Sequence, residues 1–131
     1  LTTQADTLVF NVSGDPAELY KGTKGYIIKA ASSNMYDSTP SLYLGQTKEQ
    51  SIESINHLIS LCNNDVGTTF IIEDAEGVIY EGITGSGLRY IRTPSYRESY
   101  NIMLKNSKMS GTITFKKSSL ENIITYYFNK Q

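Results

Sequence analysis

Arginine and tyrosine crowd into one short stretch of this chain. All three arginines, Arg89, Arg92 and Arg97, fall between positions 86 and 117, with Lys105, Lys108, Lys116 and Lys117. One acid, Glu98, stands against those seven cations. Tyr90, Tyr96 and Tyr100 lie among the arginines. A guanidinium is a planar fork of donors, and a phenol is a flat apolar ring with a polar tip. That pairing suits two kinds of partner. Bases stack on tyrosine while phosphates meet arginine, or the same residues anchor a protein interface. The bland alternative has arginine stems covering sheet surface. A protein partner is the better expectation, because the whole chain is acidic (net charge −1, pI ≈ 5.8). Dedicated nucleic-acid binders carry basic domains. The expected binding set is therefore Arg89, Tyr90, Arg92, Tyr96, Arg97 and Tyr100, on a hairpin of about 86–105. A nucleotide or single-stranded nucleic acid on the same residues is the second expectation.

The preceding segment has the opposite sign. Residues 65–82 hold Asp65, Glu73, Asp74, Glu76 and Glu81, with no Lys or Arg. Local fields of this kind steer partners more than net charge does. The acids surround a tight turn and lack the spacing of a calcium loop. Strand alternation puts Glu73 and Glu81 on the solvent face.

Other residues with chemical potential read as structural. His57, the single histidine, sits beside an apolar stripe with no local nucleophile and acid to form a triad. Cys62 lies on that stripe, as a small hydrophobe does. No cation adjoins it to make a reactive thiolate. Gly82-x-x-Gly85-x-Gly87 invites a phosphate-loop reading, but it lacks the Gly-Lys-Ser/Thr that opens a helix. A loop between two strands is expected there. No catalytic set emerges, and no cofactor or metal is expected.

Composition bounds the remaining classes. At 131 residues, the chain is the size of one α+β domain, with residues 1–6 a loose tail. With 39 % hydrophobic and 19 % charged residues, it is globular rather than disordered. One cysteine rules out an internal disulfide and favours a reducing, cytoplasmic setting. No apolar run approaches a membrane span and no signal peptide is seen, so no membrane partner is expected. Leu1 rather than Met opens the chain, as in a processed chain or a piece of a larger one. Size and composition suit small accessory proteins of phage or bacterial origin, inhibitors and immunity proteins among them.

Local signals then place these residues on elements. Thr7–Ser13, Gly25–Ala31 and Ser41–Leu44 read as strands. Gly14-Asp15-Pro16 is a turn, and Ala17–Lys21 reads as one helical turn. Ser32–Pro40 is a long polar loop, a candidate for function. Thr47 and Gln50 form a capping box. Ile52, Ile55, Leu58, Ile59 and Cys62 then recur at helical spacing, giving a helix over about 47–63. Thr68–Glu73 and Val78–Glu81 make a hairpin with Gly77 in the left-handed position. Leu88–Arg92, Ser99–Lys105 and Gly111–Lys116 are further strands, with a turn at Thr93-Pro94-Ser95. Ser118 and Glu121 form a second capping box. It opens a helix over about 118–129, with Leu120, Ile123, Ile124, Tyr127 and Phe128 as its stripe. Consecutive strands with short connections predict one antiparallel sheet of about six to eight strands, with both helices on one face. An exposed edge of such a sheet could pair with a second copy.

Overall fold

The computed structural model describes residues 6–32, 41–91, 93–108 and 112–131, with backbone alone at 31–32, 86–91 and 93–98. The architecture is α+β, but the expected single sheet is two. The first has four strands: β1 (Thr7–Asn11), β2 (Glu18–Gly22), β3 (Gly25–Lys29) and β5 (Ser41–Gly45), in the order β1-β2-β3-β5. The second has five: β4 (Ala31–Ser32), β6 (Thr69–Glu73), β7 (Ile79–Ile91), β8 (Thr93–Lys105) and β9 (Ile113–Phe115), in the order β4-β9-β8-β7-β6. Every strand pair is antiparallel. The division arises at Ala30. β3 and β4 flank this one buried residue yet belong to different sheets.

The helices are α1 (Lys48–Cys62) and α2 (Lys117–Tyr126), followed by a 3-10 turn, Phe128–Lys130. α1 begins as its sequence dictates. Gln50 N–H donates to Thr47 Oγ1 at 3.1 Å, while Gln50 Oε1 accepts from the N–H groups of Thr47 (3.3 Å) and Gln46 (2.9 Å). Ile55 and Leu58 are buried, with Ile52, Ile59 and Cys62 packed half-buried beside them. α2 departs from expectation. No side chain of its own turn caps it, and the Ser118–Glu121 box does not supply its start. The helix begins one residue earlier, and Lys117 N–H donates to Asn101 Oδ1 of β8 at 2.7 Å. An acceptor brought by the tertiary fold does the work that a local serine was expected to do.

Three further expectations change. Where a helical turn over Ala17–Lys21 was expected, Glu18–Gly22 is strand, because Leu19 is fully buried and β2 is laddered on both sides by β1 and β3. The glycine loop is not a loop. β7 runs unbroken through Gly82, Gly85 and Gly87, with one extra residue between Thr84 and Gly87 relative to β8. Such a bulge bends a strand and increases its twist. At Gly82 a Cβ would run into the Phe70 ring and Leu104, so a larger residue there requires those side chains to shift. Thr93-Pro94-Ser95 is strand as well, beginning at Thr93 opposite Ile91, with the ladder irregular until Arg97 meets Tyr90. A proline that cannot donate fits such an irregularity. The Ser32–Pro40 loop lies outside the described residues from position 33 onward.

The core joins both sheets to both helices. Leu19, Ile28, Leu42 and Leu44 come from the first sheet; Ile72, Ile102, Leu104, Ile113 and Phe115 come from the second; Ile55, Leu58, Leu120, Ile123 and Phe128 come from the helical layer. α1 packs on α2 and on β5, and reaches β7 and β8. Tyr26 meets Phe128 edge-on, ring centroids 5.1 Å apart, and Tyr127 meets Phe128 at 5.0 Å. The 74–78 turn follows the sequence closely. Gly77 N–H donates to Asp74 O at 3.0 Å, Asp74 N–H to Val78 O at 2.9 Å, and Gly77 has φ +84°.

Candidate binding surface

β7 and β8 outrun their neighbours. β6 pairs with β7 only as far as Ile83, and β9 pairs with β8 only as far as Ile102. Beyond those points, among the described residues, the two strands ladder only with each other, forming a two-stranded ribbon. Its base is fixed by Thr84, which is 2 % exposed. Thr84 Oγ1 donates to Leu61 O at the end of α1 (2.7 Å), its N–H donates to Thr68 O (2.9 Å), and its carbonyl accepts from Gly67 N–H (2.7 Å). Just past the base, the half-buried Tyr100 ring lies 3.8 Å from where a side chain on Gly85 would begin. The aromatic covers the bulge where glycine leaves room.

This ribbon carries the residues expected to bind. Of the six, Tyr100 has a described side chain. Arg89, Tyr90, Tyr96 and Arg97 are placed by backbone, with Arg89 opposite Glu98 and Tyr90 opposite Arg97. Arg92 lies outside the described residues. β7 approaches β4, although β9 and β8 lie between them in the sheet, so the second sheet curls.

An open depression of about 680 Å³ lies on the face of this sheet away from the helices, lined by Thr69, Ile71, Ile83, Glu81, Met103 and Lys105 among others. Ile71 is 72 % exposed and Ile79, on the same face, is 50 % exposed. Glu81 stands opposite Lys105 across β7 and β8, with Ile71 on the far side of Glu81. The sequence had signalled this face only through Glu73 and Glu81, both exposed as alternation requires. The same parity puts Ile71, Ile79 and Ile83 beside them. An unbroken Phe-Ile-Ile run conceals that one of its members points outward.

A second hollow of about 720 Å³ runs between α1, β5 and the 74–78 turn, lined by Tyr43, Gln50, Glu53, Ser54, His57 and Glu76 among others. His57 is exposed in it, one turn after Glu53. Ser54 is hydrogen-bonded to Leu44 O, which engages its hydroxyl on the backbone. Glu76 pairs with Lys24 at 3.4 Å. Among the described residues, no group of three or more His, Cys, Asp and Glu converges where a metal ion could be held.

Cys62 is half-buried, and burial pushes its thiol up to about 11; Lys117 opposes that shift and Glu121 adds to it. It is packing rather than a thiolate. On the outer face of the first sheet, Tyr20 and Tyr43 flank buried Ile27, and Lys29 Nζ sits 4.3 Å over the Tyr20 ring. Burial and the neighbouring Glu18 raise the Tyr20 hydroxyl above its ordinary value. No helix among the described residues is long and apolar enough to cross a membrane. No protein-family model, no curated protein and no solved structure matches this chain.

Proposed function

We propose that this chain is a non-catalytic binding protein that engages a protein partner through the β7–β8 ribbon. Arg89, Tyr90, Arg92, Tyr96, Arg97 and Tyr100 are the contact residues. The supporting observation is the reach of the ribbon beyond the strands on either side of it. A two-stranded ribbon gains little stability by itself in water, so its length is better explained by what it contacts. It is also where the chain concentrates its arginines, and Tyr and Arg are the residues that most often anchor protein interfaces.

The excess of cations over acids between 86 and 117 supports a second reading, recognition of a nucleotide or single-stranded nucleic acid. Salt separates the two. Phosphate-dominated binding weakens steeply and linearly in log–log terms as salt rises, and a tyrosine-anchored interface responds less. The experiment captures the partner from the native source and compares wild type with Arg89→Ala/Arg92→Ala. Binding should fall while Tm stays within a few degrees, because surface ion pairs contribute little to stability. A double variant that binds as well as wild type would remove the ribbon from the interface. A short oligonucleotide bound at low salt and released at moderate salt would move the assignment to the second reading.

A further inference from the structure

Sheet edges are where chains add strands, and proteins usually protect them. The described strands leave four edges: β1, β5, β4 and β6. Three are blunted. β1 is broken by a bulge between Leu8 and Phe10. At β5, Tyr43 N–H donates to Asp74 Oδ2 (3.4 Å) and its carbonyl accepts from Ala75 N–H (3.1 Å), so the 74–78 turn occupies that edge. β4 is two residues long and lies against β7.

Among the described residues, β6 has none of these devices. Its five residues pair with β7 in unbroken register. It contains no lysine, no proline and no glycine. Thr84 N–H donates to Thr68 O and Asp74 N–H to Val78 O, so the even-numbered residues bond to β7. The backbone groups of Thr69, Ile71 and Glu73 therefore point outward, as the antiparallel pattern alternates. The side chains of the same three residues are exposed, and Thr69 and Ile71 wall the 680 Å³ depression.

We propose that β6 is a second binding site, which takes an extended basic segment of another protein as an added strand. Charge chooses the occupant. Between 65 and 82 there are five acids and no cation. Asp74 is held in its own turn by the N–H groups of Glu76 and Val78, and Glu76 pairs with Lys24. Glu73 remains at the edge, with Asp65 before the strand. A second copy of β6, paired antiparallel about Ile71, would set Glu73 opposite Thr69 and leave the acid without a cation. A strand with lysine or arginine would complete it. Residues two apart on the added strand share a face. The recognised feature is therefore an apolar side chain opposite Ile71, with a Lys or Arg two positions away opposite Glu73. Main-chain hydrogen bonds supply affinity, and those two side chains supply choice. This site lies on the opposite side of β7 from β8, and its fate is separate from that of the ribbon.

The test uses the full chain and a synthetic peptide alternating valine and lysine with threonine, titrated by calorimetry. Binding is expected, with amide shifts on Thr69, Ile71 and Glu73. It should weaken about tenfold or more when the peptide is N-methylated at alternate positions, when its lysines become glutamate, or in Ile71→Lys and Glu73→Lys. Ile71 and Glu73 are both exposed, so both variants should keep the wild-type circular dichroism and melt. Absence of peptide binding, or equal binding of the glutamate peptide, would overturn the proposal. So would a wild-type chain that sediments as a dimer and becomes monomeric in Ile71→Lys, since the edge would then belong to a second copy.

Discussion

Thr84 shows how much one side chain can hold. It sits where the sheet ends and the ribbon starts, and it joins β7, the 61–68 segment and the last turn of α1 through three hydrogen bonds. Thr84→Val keeps the shape and removes the hydroxyl. Leu61 O still accepts from Asn63 and Asn64, so the loss is one bond rather than a stranded carbonyl, about 1 kcal/mol by urea unfolding. A variant as stable as wild type would mean that the ribbon is anchored elsewhere. Residue-scale readings of the sequence were sound where the surroundings are local. His57 is exposed and Cys62 packs against the core, as their positions on α1 imply. The outward Ile71 follows from the same alternation that exposes Glu73, but the apolar Phe-Ile-Ile run masks it by reading as core throughout.

At the scale of elements, the two helices differ in how their starts are written. α1 carries its whole N-terminal cap within four residues. α2 carries a matching pattern at Ser118 and Glu121 but takes its cap from Asn101, sixteen positions upstream. Asn101→Ala should therefore cost about 1 kcal/mol in thermal or chemical unfolding, while Ser118→Ala costs much less. The reverse order would restore the local box. β2 was illegible for a related reason. Its five residues hold one buried leucine, and strand geometry comes from partners on either side rather than from alternation. Glycine misled in the opposite direction at β7, where Gly82 marks close packing under Phe70 and not a break.

The whole molecule responds to alkali in a way its parts foretell. Burial raises the Cys62 thiol from 9.0 to about 11, and burial with the Tyr26 contact raises the Tyr127 phenol from 10.0 to about 12. Tyr80 is raised in the same direction by burial and by Asp74. In the unfolded chain these groups lose their protons first. The unfolded state then binds fewer protons than the folded one, and rising pH favours unfolding. Stability from the protonated groups is complete below about pH 9 and is lost as pH climbs through about 11 to 12. Tm should fall over that window, and Cys62→Ala should flatten the fall between pH 9 and 11. An unchanged slope would place the thiol in water. The α+β class and the antiparallel pairing were legible from strand order and the two helical stripes. The division into two sheets was not, because each sheet taken alone is an ordinary run of antiparallel neighbours.

That division rests on Ala30, one small residue between strands that belong to separate sheets. A crossing so short has no slack. Were β3 to slip by a single place against β2, the polypeptide would drag β4 along β9 by the same step and turn its side chains over. The two layers are thus geared together, and an error of alignment in either cannot stay confined to it.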